Sequence, residues 1–150
     1  MSATSDALDV AQLQINVTAF VRAFGLLQPD WTPCGRPVAV SEAHAIAELE
    51  REGPLPQHHL AARLRLEKST VSRLVSRLQG RGWVERARRD DDGRVLWLEL
   101  TVAGRAAAAD LAAARQAKFA QILDAIPARD QSVVVEGLQA LIRALGSDRC

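Results

Sequence analysis

Leu66-Glu67-Lys68-Ser69-Thr70-Val71-Ser72-Arg73-Leu74-Val75-Ser76-Arg77-Leu78-Gln79-Gly80 is the stretch on which the fold turns. Val71, Leu74, Val75 and Leu78 stand at i, i+3, i+4 and i+7, the spacing of one apolar face of a helix. Ser69, Ser72, Arg73, Ser76 and Arg77 fill the other side with small hydroxyls and cations. Immediately upstream, Pro56 to Leu64 reads as a short helix preorganised by its proline, and Leu64-Arg65-Leu66-Glu67 is a tight turn between the two. Two short helices joined this way fit a helix-turn-helix, whose second helix has a size and surface suited to the DNA major groove.

Downstream the period changes. From Trp83 to Leu100, Val95, Trp97 and Glu99 alternate with Leu96, Leu98 and Leu100, and Asp90-Asp91-Asp92-Gly93 supplies a turn, so this segment predicts a β-hairpin. Further out, residues 6 to 24 carry Leu8, Leu13, Val17, Phe20, Val21 and Phe24 at helical spacing. A loop with four prolines and glycines follows from Gln28 to Pro37, and Ser41 is placed to cap a second helix that ends at Gly53-Pro54. On the C-terminal side a helix runs from Val102 to Ile126, Pro127 closes it, and Asp130 is placed to cap a last helix bearing Val133, Val134, Leu138, Leu141, Ile142 and Leu145. The expected architecture is mainly α with a small β-hairpin wing.

Composition supports this. The chain of 150 residues allows one domain with helical extensions, and 26 of those residues are alanine, a good helix former and poor strand filler. The formal net charge is only +1, but its distribution is uneven. Residues 63 to 94 hold ten arginines or lysines against five acids, a local +5, while the remainder has nine against thirteen, or −4. One cationic face on an acidic body suits a polyanionic partner. Cys34 and Cys150 have no disulfide or metal-ligand spacing, and neither a leader-like nor a membrane-spanning apolar run is present, so no membrane association and a cytoplasmic location are expected.

Ser69, Thr70, Ser72 and Arg73 lie on the first turns of the second helix, where an arginine can donate in bidentate fashion to guanine. Arg63, Lys68 and Arg77 are placed for phosphates, which fix register without reading sequence. Arg88, Arg89 and Arg94 flank the hairpin turn, where a wing presents cations to the backbone or minor groove, and Asp92 is placed to hold Arg94.

With these motifs the chain resembles the MarR family of winged helix-turn-helix transcription regulators over nearly its whole length. The resemblance is carried by residues 66 to 78, by Gly80-Arg81-Gly82-Trp83-Val84-Glu85-Arg86, and by residues 92 to 101 followed by Gly104. It implies a single domain over 1–150, with a DNA-binding lobe at 38–101 and helical dimerisation segments at 6–27 and 102–146. It also implies Asp92 and Arg94 at the Asp-x-Arg positions of the wing, with Arg94 at its minor-groove contact, and a homodimer on double-stranded DNA. Members often repress nearby operons from pseudo-palindromic sites and release DNA in response to a small phenolic molecule, a metal or an oxidant. Three positions depart from the pattern: Gly93 where a second wing arginine is frequent, Arg65 where a turn glycine is common, and Pro56 in place of a hydroxyl cap.

Two sensing devices are compatible with the sequence. Cys34, in the loop Pro33-Cys34-Gly35-Arg36, becomes a redox sensor if Arg36 turns toward the thiol and lowers its pKa. A small aromatic effector needs apolar walls, and Phe20, Phe24, Trp31, Ile46 and Phe119 are the candidates, each equally suited to ordinary packing. His44, His58 and His59 have poor spacing for a shared metal ion, so no metal site and no cofactor are expected. An enzyme is disfavoured because no nucleophile, base and orienting group stand at interpretable spacing. The alternative reading is a winged-helix protein-interaction module without specific DNA binding.

Overall fold

The computed structural model describes residues 3–89 and 93–147. Its elements run α1 (Ala3–Phe24), α2 (Val40–Glu52), β1 (Leu55–Pro56), α3 (Gln57–Leu64), α4 (Lys68–Gly80), β2 (Val84–Arg88), β3 (Leu96–Leu100), α5 (Val102–Ala125) and α6 (Ala128–Ser147). This is the mainly helical winged helix-turn-helix expected from the hydrophobic periods. The chain divides into two compact units, residues 1–115 and 116–150.

The core of the first unit is assembled by the apolar stripes of α2 and α4 against the hairpin. Ile46 and Leu49 of α2, Leu60 of α3, and Val71, Leu74, Val75 and Leu78 of α4 pack with Val84, Leu98 and Leu100, and all are buried. Ala108 and Leu111 bring α5 into the same cluster. The period-two reading of the hairpin holds: Leu98 and Leu100 point inward while Glu99 between them is exposed.

A third strand is present that the hydrophobic pattern does not announce. Leu55 pairs with Leu98 and Pro56 with Trp97, giving an antiparallel sheet in the order β1-β3-β2. Two residues are too few to display alternation, and proline is tolerated there because β1 is an edge strand. Two capping expectations are corrected as well. Ala39, not Ser41, is the N-cap of α2 and gives no side-chain cap, and Asp130 lies in the first turn of α6 with its N–H donating to the Pro127 carbonyl.

Arg65 ends α3 in the left-handed conformation, at φ 55° and ψ 41°, with its N–H reaching back to the carbonyls of Ala61 and Ala62. A side chain there costs about 1 kcal/mol relative to glycine. The turn therefore keeps its geometry despite the substitution, and α4 leaves at the angle the core requires.

In α1, Leu13, Val17 and Phe20 are exposed, and Phe20 and Phe24 stack with ring centroids 5.3 Å apart. In the second unit, Gln131 Nε2 donates to the Leu123 and Ile126 carbonyls at 3.1 and 3.2 Å, fixing the turn at Pro127. Val133, Val134, Leu138, Ile142 and Leu145 of α6 face outward. No described helix is long and apolar enough to cross a membrane.

Candidate nucleic-acid interface

Helix α4 has one face wholly committed to the core and one to solvent. Lys68, Ser69, Ser72 and Arg73 are exposed and Thr70 is half-buried, on the side opposite Val71, Leu74, Val75 and Leu78. The side chains of Lys68, Ser69 and Arg73 have no hydrogen-bond or ion-pair partner among the described residues. Glu67 is the N-cap and provides no side-chain acceptor for the first-turn amides. The helix therefore presents donors at its leading end, which is what base edges and phosphates accept.

The other cations of the 63–94 segment are held by the protein itself. Arg63 bridges Glu48 at 3.4 Å and Glu52 at 3.2 Å, and Glu48 also takes Arg51 at 2.8 Å. Hydrogen bonding from Arg51 is the main reason the Glu48 carboxyl lies below its ordinary pKa. Arg77 donates through Nε to Glu42 Oε1 at 2.6 Å. Arg88 donates to the Gly93 carbonyl across the hairpin end, and the Arg89 guanidinium lies 3.9 Å from the centroid of Trp97. Arg94 is exposed on the wing, and Asp92 falls outside the described residues.

Glu42, Arg81 and Arg86 belong to the site although the sequence reading did not single them out. Glu42 is 2% exposed, its Oε2 lies 3.4 Å from Arg81 Nε without forming a hydrogen bond, and Arg81 stands over the Trp83 ring at 5.0 Å. One acid of α2 thus holds two arginines at the C-terminal end of α4. Arg86 of β2 donates to the Ser72 carbonyl at 2.9 Å and to Ser76 Oγ at 3.3 Å, joining the wing strand to the middle of α4. A signal for Glu42 exists in the sequence, because it shares a stripe with Ala45, Ile46 and Leu49 at helical spacing. Removal of Arg77 leaves a buried carboxylate with weaker compensation. Arg77→Ala is therefore expected to lower the unfolding free energy by about 1 to 3 kcal/mol, and chemical denaturation of the variant measures it.

The sensing candidates are dispersed. Cys34 is half-buried, with its Sγ 3.0 Å from Thr32 Oγ1. Arg36 does not turn to the thiol as the redox reading requires; it forms a two-point pair with Asp110 of α5, at 2.6 and 3.0 Å. Those hydrogen bonds are the main reason that Asp110 is displaced below, and Arg36 above, its ordinary pKa. Of the proposed effector walls, Ile46 is fully buried and borders a cleft between α2 and α5 with Ala43, Ala108 and Leu111. Phe20 and Phe24 stack on α1, Trp31 is exposed in the loop, and Phe119 lies in the second unit. No group of three metal-ligating side chains occurs among the described residues.

Residues 37–95 match the family model described as "MarR family". No curated protein matches the chain. Among solved structures, FabT of Streptococcus pneumoniae in complex with DNA is 22% identical, with a TM-score of 0.68 and 97% of each chain covered. A probable transcriptional regulator from Pseudomonas aeruginosa is 26% identical, with a TM-score of 0.64 over 93% of this chain and 97% of that one. The PcaV transcriptional regulator of Streptomyces coelicolor in complex with its natural ligand is 24% identical, with a TM-score of 0.70 and 99% of each chain covered.

Proposed function

Because residues 37–95 place this chain in the MarR family of winged helix-turn-helix transcription regulators, we propose that it is a non-catalytic, homodimeric repressor that binds a pseudo-palindromic operator through α4 and the wing. The observation that carries this reading is the exposed row Lys68, Ser69, Ser72 and Arg73 on a helix whose opposite face is buried. In this reading Ser69, Thr70, Ser72 and Arg73 meet base edges. Lys68, Arg63, Arg77, Arg88, Arg89 and Arg94 supply positive potential toward phosphates and the minor groove. Arg63 and Arg77 do so while tied to Glu48, Glu52 and Glu42, so their part is to raise the local potential and hold the helix frame.

Dimerisation is supported by α1 and α6, which carry large exposed aliphatic and aromatic side chains that a winged-helix core does not need. Burying both against a second copy removes those faces from water and sets two recognition helices about 34 Å apart, one turn of duplex. Release by a small aromatic molecule is favoured over thiol oxidation, since Arg36 is committed to Asp110 and PcaV is a regulator solved with a natural ligand.

Selection of bound genomic fragments at two salt concentrations tests the reading. The recovered sites are expected to share two-fold symmetry, and affinity is expected to fall on the order of 10³-fold between about 50 and about 200 mM salt. Failure to enrich any duplex would establish the protein-interaction alternative instead.

A further inference from the structure

Beside the leading end of α4 lies a cleft of about 210 Å³, lined by Gln57 and His58 of α3, Lys68 of α4 and Arg94 of the wing over a floor that includes Ala61 and Val71. It is smaller than the roughly 300 to 1,000 Å³ pockets that enclose organic ligands. Its charged groups are all basic, they come from three separate segments, and no carboxylate lines it. Gln57 Oε1 is buried without a hydrogen-bond partner, and exchanging the two ends of that amide offers N–H donors with no change in packing.

We propose that this cleft seats one backbone phosphate of the bound duplex, with Lys68 and Arg94 as constant cations and His58 as a third that is charged only when protonated. The proposal rests on the DNA-binding reading above and extends it to His58 and Gln57, which that reading leaves unassigned. The titratable and charged groups around His58 are His59 on its own helix, edge-on with ring centroids 4.4 Å apart, Lys68 from α4 and Arg94 from the wing. All three oppose a further positive charge in the free protein. A phosphate in the cleft reverses that balance, so binding takes up a proton in the pH range where imidazole titrates. His58 thereby makes DNA affinity rise as pH falls.

Fluorescence anisotropy with the selected duplex at about pH 8 and about pH 6 tests this on the wild type, His58→Gln and His59→Gln. Wild-type affinity is expected to rise roughly fivefold toward pH 6, the effect of about one exposed charge pair. His59→Gln should keep that rise and His58→Gln should lose it, together with up to about 0.9 of the salt slope measured at pH 6. A His58→Gln profile identical to wild type, or loss of the rise in His59→Gln, overturns the assignment while leaving DNA binding intact. A wild type that binds no duplex at either pH overturns both. If inorganic phosphate at constant ionic strength displaces duplex from wild type but not from His58→Gln, the cleft takes free phosphate and the proposal fails.

Discussion

Gly104→Ala is expected to destabilise the protein by on the order of 3 kcal/mol or more, seen as a large fall in the denaturation midpoint. A Cβ at Gly104 would lie 1.9 Å from the Trp83 carbonyl oxygen and 2.9 Å from its carbon, and both are backbone atoms that cannot swing aside. The same carbonyl accepts from the Thr101 N–H at 3.0 Å, and the Gly104 N–H donates to Thr101 Oγ1 at 3.0 Å as α5 begins. Thr101 also donates through that hydroxyl to the Gly82 carbonyl. The first turn of α5 is thus set directly on the turn that leads into β2. Relieving the clash means lifting α5 from Leu111 and Ala108 in the core or breaking the Thr101 contacts. Gly137→Ala is the control, because nothing lies within 4 Å of its would-be Cβ in α6. That change is expected to be neutral or to stabilise by up to about 1 kcal/mol through helix propensity. A Gly104→Ala protein that melts with the wild type would refute this account of the α5 junction.

Arg73→Ala is expected to weaken binding to the selected operator by about 10- to 100-fold and binding to random duplex only slightly. Its side chain is exposed on α4, makes no ion pair in the described structure, and contributes nothing to the core. The circular dichroism spectrum and unfolding midpoint should therefore be unchanged. Loss of one bidentate contact to a base costs roughly 1 to 3 kcal/mol of discrimination, whereas loss of one phosphate contact weakens all sequences alike. Equal weakening on operator and random DNA would move Arg73 to the backbone. Comparison with Arg77→Ala separates the two arginines of the same helix, since Arg77 is bound to the buried Glu42 and its loss is expected in stability first.

The helices, the hairpin and the outward face of α4 were legible in the sequence because each is a local pattern. Period 3.6 in 71–78, period 2 in 95–100, and small or basic residues between the apolar ones are written in consecutive residues. Gly104 was visible as part of a family motif, but its reason was not: only the approach of the Trp83 carbonyl explains it. Strand β1 was missed because two residues carry no period and pair only once β3 lies beside them.

The order of elements, the amphipathic recognition helix and the concentration of arginines between residues 63 and 94 follow from the chain itself, since propensity, spacing and charge count are properties of neighbours in sequence. Which of those arginines face outward was settled only by folding. Arg63, Arg77, Arg81 and Arg36 meet acids 11 to 74 positions away, and each such pairing depends on how α2, α3, α4 and α5 are brought together rather than on any local signal. A long, flexible guanidinium binds whatever carboxylate tertiary packing sets within its reach, so its partner is fixed by the fold and not by its place in the chain.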